Sequence, residues 1–251
     1  MFIGGHNAKK RRGIGKERNM RICGLQKMTL LDYPGKVACT VFLGGCDLRC
    51  PYCHNAEILD GRAPEVISRE DFLSFLDFRR GKLDGVCVTG GEPTLSEDLP
   101  AFLLEIRQKG FPVKLDTNGT HPAMVEELVE AGLVQAIAMD IKNSPERYAQ
   151  TVGRADWNME PIFKSVGLLK AWSEQGKIDL EFRTTVVAEL HDEASFQVIG
   201  PWLSGAPRYF LQQYISRPQV PCQELTPPTE EKMEKYRKIL LPYLPTELRL
   251  G

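Results

Sequence analysis

Short apolar runs alternate with amphipathic stretches along most of this 251-residue chain, and no other feature restricts its fold as much. The runs are VACTVFLGG, GVCVTGG (85–91), FPVKLDTNG (111–119), VQAIAMDIK (134–142), KIDLEFRTTVV (177–187) and RYFLQQYI (208–215). In the fifth, Ile178, Leu180 and Phe182 alternate as a strand requires. The stretches between them carry helix punctuation. Ser68 with Asp71 three residues on reads as an N-cap ahead of Phe72, Leu73, Phe75, Leu76 and Phe78. Gly110 stops a second helix, Pro122 opens a third and Gly132 ends it. A short helix opens at Ser144-Pro145, and Ile162, Val166 and Leu169 recur at helical intervals. Another helix is expected near 192–203, and an amphipathic helix near 228–240 is expected to close the chain. Strand–helix units in series predict an α/β fold, a parallel sheet with helical crossovers. Units of about 30 residues suit a barrel or a doubly wound sheet. Six units are too few for a full eight-stranded barrel, and the pattern alone does not separate a partial barrel from an open sheet.

A hydrophobic content of 42% and a charged content of 26% are those of a globular protein, and the length suffices for a full core. Net charge is −1 and no apolar run reaches membrane-spanning length, so neither nucleic acid nor a membrane is an expected partner. Residues 1–19 carry six Lys or Arg against one Glu. With no aromatic residues interleaved, they read as a disordered basic tail ahead of a single domain over 20–251. The seven cysteines are odd in number and follow no secretory signal. That combination predicts a reducing cytoplasm and a metal site rather than a disulfide framework.

Unusual polar residues gather at the carboxyl ends of the expected strands. Gly90-Gly91-Glu92-Pro93 follows the second, Asp116-Thr117-Asn118-Gly119 ends the third, and Asp140 and Lys142 end the fourth. Arg183 and Thr185 lie in the fifth, Gln212, Gln213 and Tyr214 in the sixth. Each has a plain reading as a turn or an ion pair. Their shared position is where parallel α/β folds build active sites.

The first strand ends in GGCDLRCPYCHN, which places Cys46, Cys50 and Cys53 in the spacing C-x3-C-x2-C. Structural zinc needs four ligands, and the nearest fourth is His54, directly after Cys53. Thiolates also hold iron–sulfur clusters, and three of them on a four-iron cluster leave one iron open to a small molecule.

These residues resemble the radical S-adenosylmethionine (radical SAM) superfamily: three spaced cysteines, Tyr52 before the last, and glycine-glycine-glutamate-proline after the second strand. GLQKMTLLDYPGK, CPYCHN, TGGEPT, DTNG and MDIK further resemble the activating proteins of anaerobic ribonucleoside-triphosphate reductase. The resemblance implies a partial (βα)6 TIM-like barrel holding a [4Fe-4S] cluster on Cys46, Cys50 and Cys53. It implies S-adenosylmethionine chelated at the open iron and cleaved by one electron. The resulting 5′-deoxyadenosyl radical would take hydrogen from a glycine of the partner enzyme. Tyr52 would then pack near the adenine. Gly90 and Gly91 would let a strand edge approach the methionine amino group. Glu92 would orient that motif or accept from the amine. Asp116, Asn118 and Lys142 would contact the cofactor, and Arg183 would pair with a carboxylate. By the same resemblance, Asp116, Thr117 and Asp140 would hold a monovalent cation, and a flavodoxin or ferredoxin would supply the electron. No cysteine lies between Cys53 and Gly85, so one cluster is expected. Other readings are a radical SAM enzyme acting on a small molecule or another glycyl-radical enzyme, and a non-enzymatic zinc or electron-transfer module.

Overall fold

The computed structural model describes residues 20–60 and 63–251. The basic segment 1–19 lies outside the described residues. Eight strands form one sheet in sequential order: β1 (Ile22–Thr29), β2 (Ala38–Leu43), β3 (Gly85–Gly90), β4 (Val113–Thr117), β5 (Ala136–Asp140), β6 (Asp179–Val186), β7 (Tyr209–Gln213) and β8 (Thr246–Arg249). β1 pairs antiparallel with β2, and every later pair is parallel. Among the described residues no pair joins β8 back to β1, so the fold is an open, partial barrel.

The six strands read from sequence are β2 to β7. Two more flank them, which corrects the count of six. The chain also does not close on a helix, because β8 follows the last helix and pairs in parallel with β7.

The helices are α1 (Arg69–Phe78), α2 (Leu99–Gln108), α3 (Pro122–Glu130), α4 (Tyr148–Thr151), α5 (Glu160–Glu174), α6 (Glu193–Leu203) and α7 (Glu230–Leu240). Ser68 caps α1 by accepting from the Asp71 N–H at 3.0 Å, while Asp192 and Thr229 do the same for α6 and α7. Each helix turns one apolar stripe to the sheet: Phe102, Leu103 and Ile106 from α2, Ile162, Val166 and Leu169 from α5. The strands they cover are buried on both faces, as crossover helices require.

The inner face of the sheet is polar. Lys114 on β4 approaches Glu181 on β6 to 3.6 Å. One strand separates them, which in a flat sheet would put their backbones roughly 9–10 Å apart with parallel side chains. Curling of the sheet brings the two side chains together. Tyr33 packs on Ala38 and Ala136 at the amino ends of β2 and β5 and covers the end of the lumen away from the cysteines.

Candidate active site at the carboxyl ends of the strands

The cysteine loop leaves β2 through Gly45, whose φ of +97° suits glycine. Its backbone is pinned from several sides. Gly45 N–H donates to Ile58 O at 2.7 Å and Cys46 N–H to Leu59 O at 3.1 Å. Arg49 N–H donates to Val152 O at 2.9 Å, and the Arg154 guanidinium to Asp47 O at 2.9 Å. Asn55 Nδ2 donates to Gly90 O at 2.9 Å, tying the loop to the end of β3. His54 Nε2 lies 2.8 Å from Ile215 O, and its ring stacks on Tyr214.

Gly90 and Gly91 run beside this loop, with Gly91 N–H donating to Leu43 O and Glu92 N–H to Gly45 O. A Cβ at Gly90 would collide with the Leu43 backbone, and one at Gly91 with the Gly45 carbonyl. The two glycines are therefore demanded by the approach of the cysteine loop itself, and both also line the cavity.

Glu92 is 1% exposed and does not line the cavity. Its carboxylate accepts from Thr94 N–H and Oγ1, from Thr117 Oγ1 and from Asn118 N–H. It joins the GGEP turn to the DTNG turn, as the orienting one of its two expected roles requires. Burial pushes its pKa up to about 7, against the pull of those four hydrogen bonds.

The cavity encloses about 880 Å³ of atom-free space, solvent at its mouth included, a size usual for small-molecule sites. Cys46, Cys50, Cys53, Tyr52, Gly90, Gly91, Asp116, Thr117, Asn118, Asp140, Lys142 and Arg183 all line it, as does Thr185. Gln213 instead donates to Pro228 O and accepts from Gly251 N–H.

Burial raises all three thiols, Cys46 to about 12 and Cys50 to about 11. Neutral thiols in such a site become ligands only when metal charge compensates the thiolates. Among the described residues no three His, Cys, Asp or Glu side chains are grouped to hold a metal ion. A single zinc needs its ligands gathered on one point, whereas a cluster takes one thiolate at each iron. Three soft thiols facing one cavity, with cations beside them, fit a cluster with an open iron.

A chain of charges runs up the lumen to this cavity. Arg249 meets Glu181 at 3.4 Å, Glu181 meets Lys114, and Lys114 meets Asp116 at 2.5 Å. Arg183 then bridges Asp116 at 3.0 Å and Asp140 at 2.9 Å, and Lys142 holds the other Asp140 oxygen at 2.9 Å. Burial alone would raise both aspartates, but Arg183 with Lys114 and Lys142 holds them below the ordinary carboxylate range. Four cations face three carboxylates along this chain, a balance of one positive charge in excess, with Arg249 partly exposed at its far end. Thr117, the third residue expected at a cation, gives its hydroxyl proton to Glu92.

Several supporting residues carry no sequence signal. His191 sets one ring nitrogen 2.8 Å from Lys142 O while the other accepts from Val187 N–H, which fixes the loop that carries Lys142. Arg154 and Asn55 are ordinary surface residue types. Gly153 alone was readable, as a glycine at the end of a helix.

A curled parallel sheet with three thiols and a pair of cations at its carboxyl end defines a cluster-binding enzyme of the partial-barrel class. A family model described as the radical SAM superfamily matches residues 40–171, more than half of the chain, and the chain belongs to that superfamily. Its members use a [4Fe-4S] cluster and S-adenosylmethionine. A protein of Methanocaldococcus jannaschii assigned as a glycyl-radical enzyme activating enzyme is 31% identical over 89% of this chain and 92% of its own length. The pyruvate formate-lyase-activating enzyme of Clostridium pasteurianum is 29% identical over 58% of this chain and 63% of its own. Among solved structures, a radical SAM methyltransferase from Sphaerobacter thermophilus superposes with a TM-score of 0.67 at 14% identity, covering 87% of this chain and 67% of that one. Streptococcus suis SuiB bound to S-adenosylmethionine gives 0.62 at 14% identity, over 82% of this chain and 48% of that one. At such identities these two show the fold alone. No helix among the described residues is long and apolar enough to cross a membrane.

Proposed function

We propose that the chain activates a glycyl-radical enzyme, with anaerobic ribonucleoside-triphosphate reductase as its partner and a flavodoxin or ferredoxin as its electron donor. The observation that carries the reading is the cavity itself, in which three cysteines face Lys142 and Arg183 across a glycine-edged strand end. The likeness to the M. jannaschii activating enzyme over nearly the whole of both chains supports it. The motifs GLQKMTLLDYPGK, TGGEPT and MDIK favour the reductase as partner.

When bound, the cluster and S-adenosylmethionine supply the one-electron chemistry that removes a hydrogen atom from glycine. The protein's part is position and exclusion of water. Cys46, Cys50 and Cys53 hold the cluster. Lys142 and Arg183 receive the carboxylate of the cofactor, Arg183 while still held by two aspartates. Tyr52, Gly90, Gly91, Asp116 and Asn118 shape the wall against which the rest of the cofactor lies. A monovalent cation between Asp116 and Asp140 forms no part of this proposal, because Arg183 already bridges the two, with Lys114 and Lys142 on their other sides.

The test is anaerobic reconstitution with reductant, S-adenosylmethionine and the reductase. The expected result is 5′-deoxyadenosine in step with a glycyl-radical resonance on the reductase. Deoxyadenosine without that resonance, across a panel of glycyl-radical enzymes, would replace the proposal with a small-molecule substrate.

A further inference from the structure

Each cysteine of the loop has a hydrogen-bond donor two residues on. The Leu48 N–H donates to Cys46 Sγ at 3.4 Å, and the Asn55 N–H is directed at the Cys53 sulfur. At Cys50 the donor is different, a side chain instead of a backbone amide: the hydroxyl of Tyr52 borders the Cys50 sulfur. That hydroxyl is buried and has no hydrogen-bond partner that meets ordinary geometry. A buried hydroxyl left unpaired costs about 1–3 kcal/mol, so its persistence calls for a partner that arrives later. A neutral thiol is a weak acceptor. A thiolate on iron is a strong one, and hydrogen bonds to cluster sulfurs stabilise the more negative, reduced state.

We propose that Tyr52 is a positioning residue for the cluster: its hydroxyl donates to the Cys50 thiolate and raises the cluster's reduction potential. This rests on the activase reading only in that it requires a cluster on Cys50. The ring remains free to line the cofactor cavity, so the assignment concerns the hydroxyl and not the ring. Tyr148 supplies an internal control. Its hydroxyl is also buried without a hydrogen-bond partner, and it borders the Lys142 main chain, with no hydrogen bond to a cysteine sulfur.

The experiment is a redox titration of reconstituted holoenzyme, followed by electron paramagnetic resonance, for wild type, Tyr52→Phe and Tyr148→Phe. At a fixed ambient potential near the wild-type midpoint, Tyr52→Phe should lower the ratio of reduced to oxidised cluster about three- to tenfold. Tyr148→Phe should leave it within about twofold, since it removes a similar buried hydroxyl that makes no hydrogen bond to a thiolate ligand. Electron–nuclear double resonance should show an exchangeable proton coupled to the reduced wild-type cluster and missing from Tyr52→Phe alone. The apo form of Tyr52→Phe should melt no lower than wild type, because no apo hydrogen bond is lost. Overlapping titration curves with no change in proton coupling would overturn the inference and leave the function standing. A wild-type protein that assembles no cluster would sink both.

Discussion

Glu92 accepts four hydrogen bonds in a buried place, and its proton is pulled in two directions. Burial favours the neutral acid; the two backbone amides and two hydroxyls favour the anion. Burial prevails, and the folded pKa stands near 7 against an ordinary 4.5. A carboxyl whose pKa is higher in the folded state contributes stability that is complete below its ordinary value and is lost as pH rises through about 7. Glu92→Gln should remove that part of the pH dependence between 4.5 and 7, read from urea denaturation at several pH values. It should also cost up to about 1–3 kcal/mol near pH 5, because the amide brings two N–H donors among groups that point at Glu92, where the protonated acid brings one O–H. A variant as stable as wild type with an unchanged pH slope would mean that the carboxylate does not join the two turns.

At the scale of elements, β2 to β7 were legible because each is a short, largely buried run bounded by turn residues, apolar on the face under the helices and broken only by the polar groups that point into the lumen. The two flanking strands were not. β1 buries only its end residues, Ile22 and Thr29, and leaves its middle partly or fully exposed, while β8 is four residues long and buries only Thr246. Edge strands read this way because half of their surface meets solvent. The site divides along the same line. The cysteines, Gly90, Gly91, Asp116 and Lys142 announce themselves by spacing and by position at strand ends. The groups that hold them in place do not, since Arg154 and His191 reach the site from distant segments and the tie from Asn55 to Gly90 O forms only in the fold. Gly153 shows how tightly α4 is joined to the cysteine loop. Its φ is +66°, and a Cβ there would strike the Arg49 carbonyl. Gly153→Ala should therefore cost about 1–3 kcal/mol in thermal unfolding and displace the loop between Cys46 and Cys50. Iron bound per chain after reconstitution should fall, and full iron loading would show that the loop tolerates the shift.

The whole molecule organises its buried charge around the cavity rather than around its surface. Arg249 on β8, Glu181 and Arg183 on β6, Lys114 and Asp116 on β4, Asp140 on β5 and Lys142 beyond it form one connected set inside the curled sheet. Buried ions persist when each is paired, and here every ion has a partner while the cations outnumber the carboxylates by one. A carboxylate entering beside Lys142 and Arg183 would complete the balance. An added monovalent cation would instead raise the excess to two and would have to displace Arg183 from aspartates it holds at 3.0 and 2.9 Å. The affinity of reconstituted enzyme for S-adenosylmethionine should accordingly be the same in potassium, sodium and choline chloride at one ionic strength, within about twofold by calorimetry. Arg183→Met should reverse this. With the guanidinium gone, Asp116 and Asp140 would face each other across an open position, and binding should become dependent on potassium or sodium. A wild-type affinity about tenfold higher in potassium, a difference of about 1.4 kcal/mol, would show that an inorganic ion shares the two aspartates with Arg183.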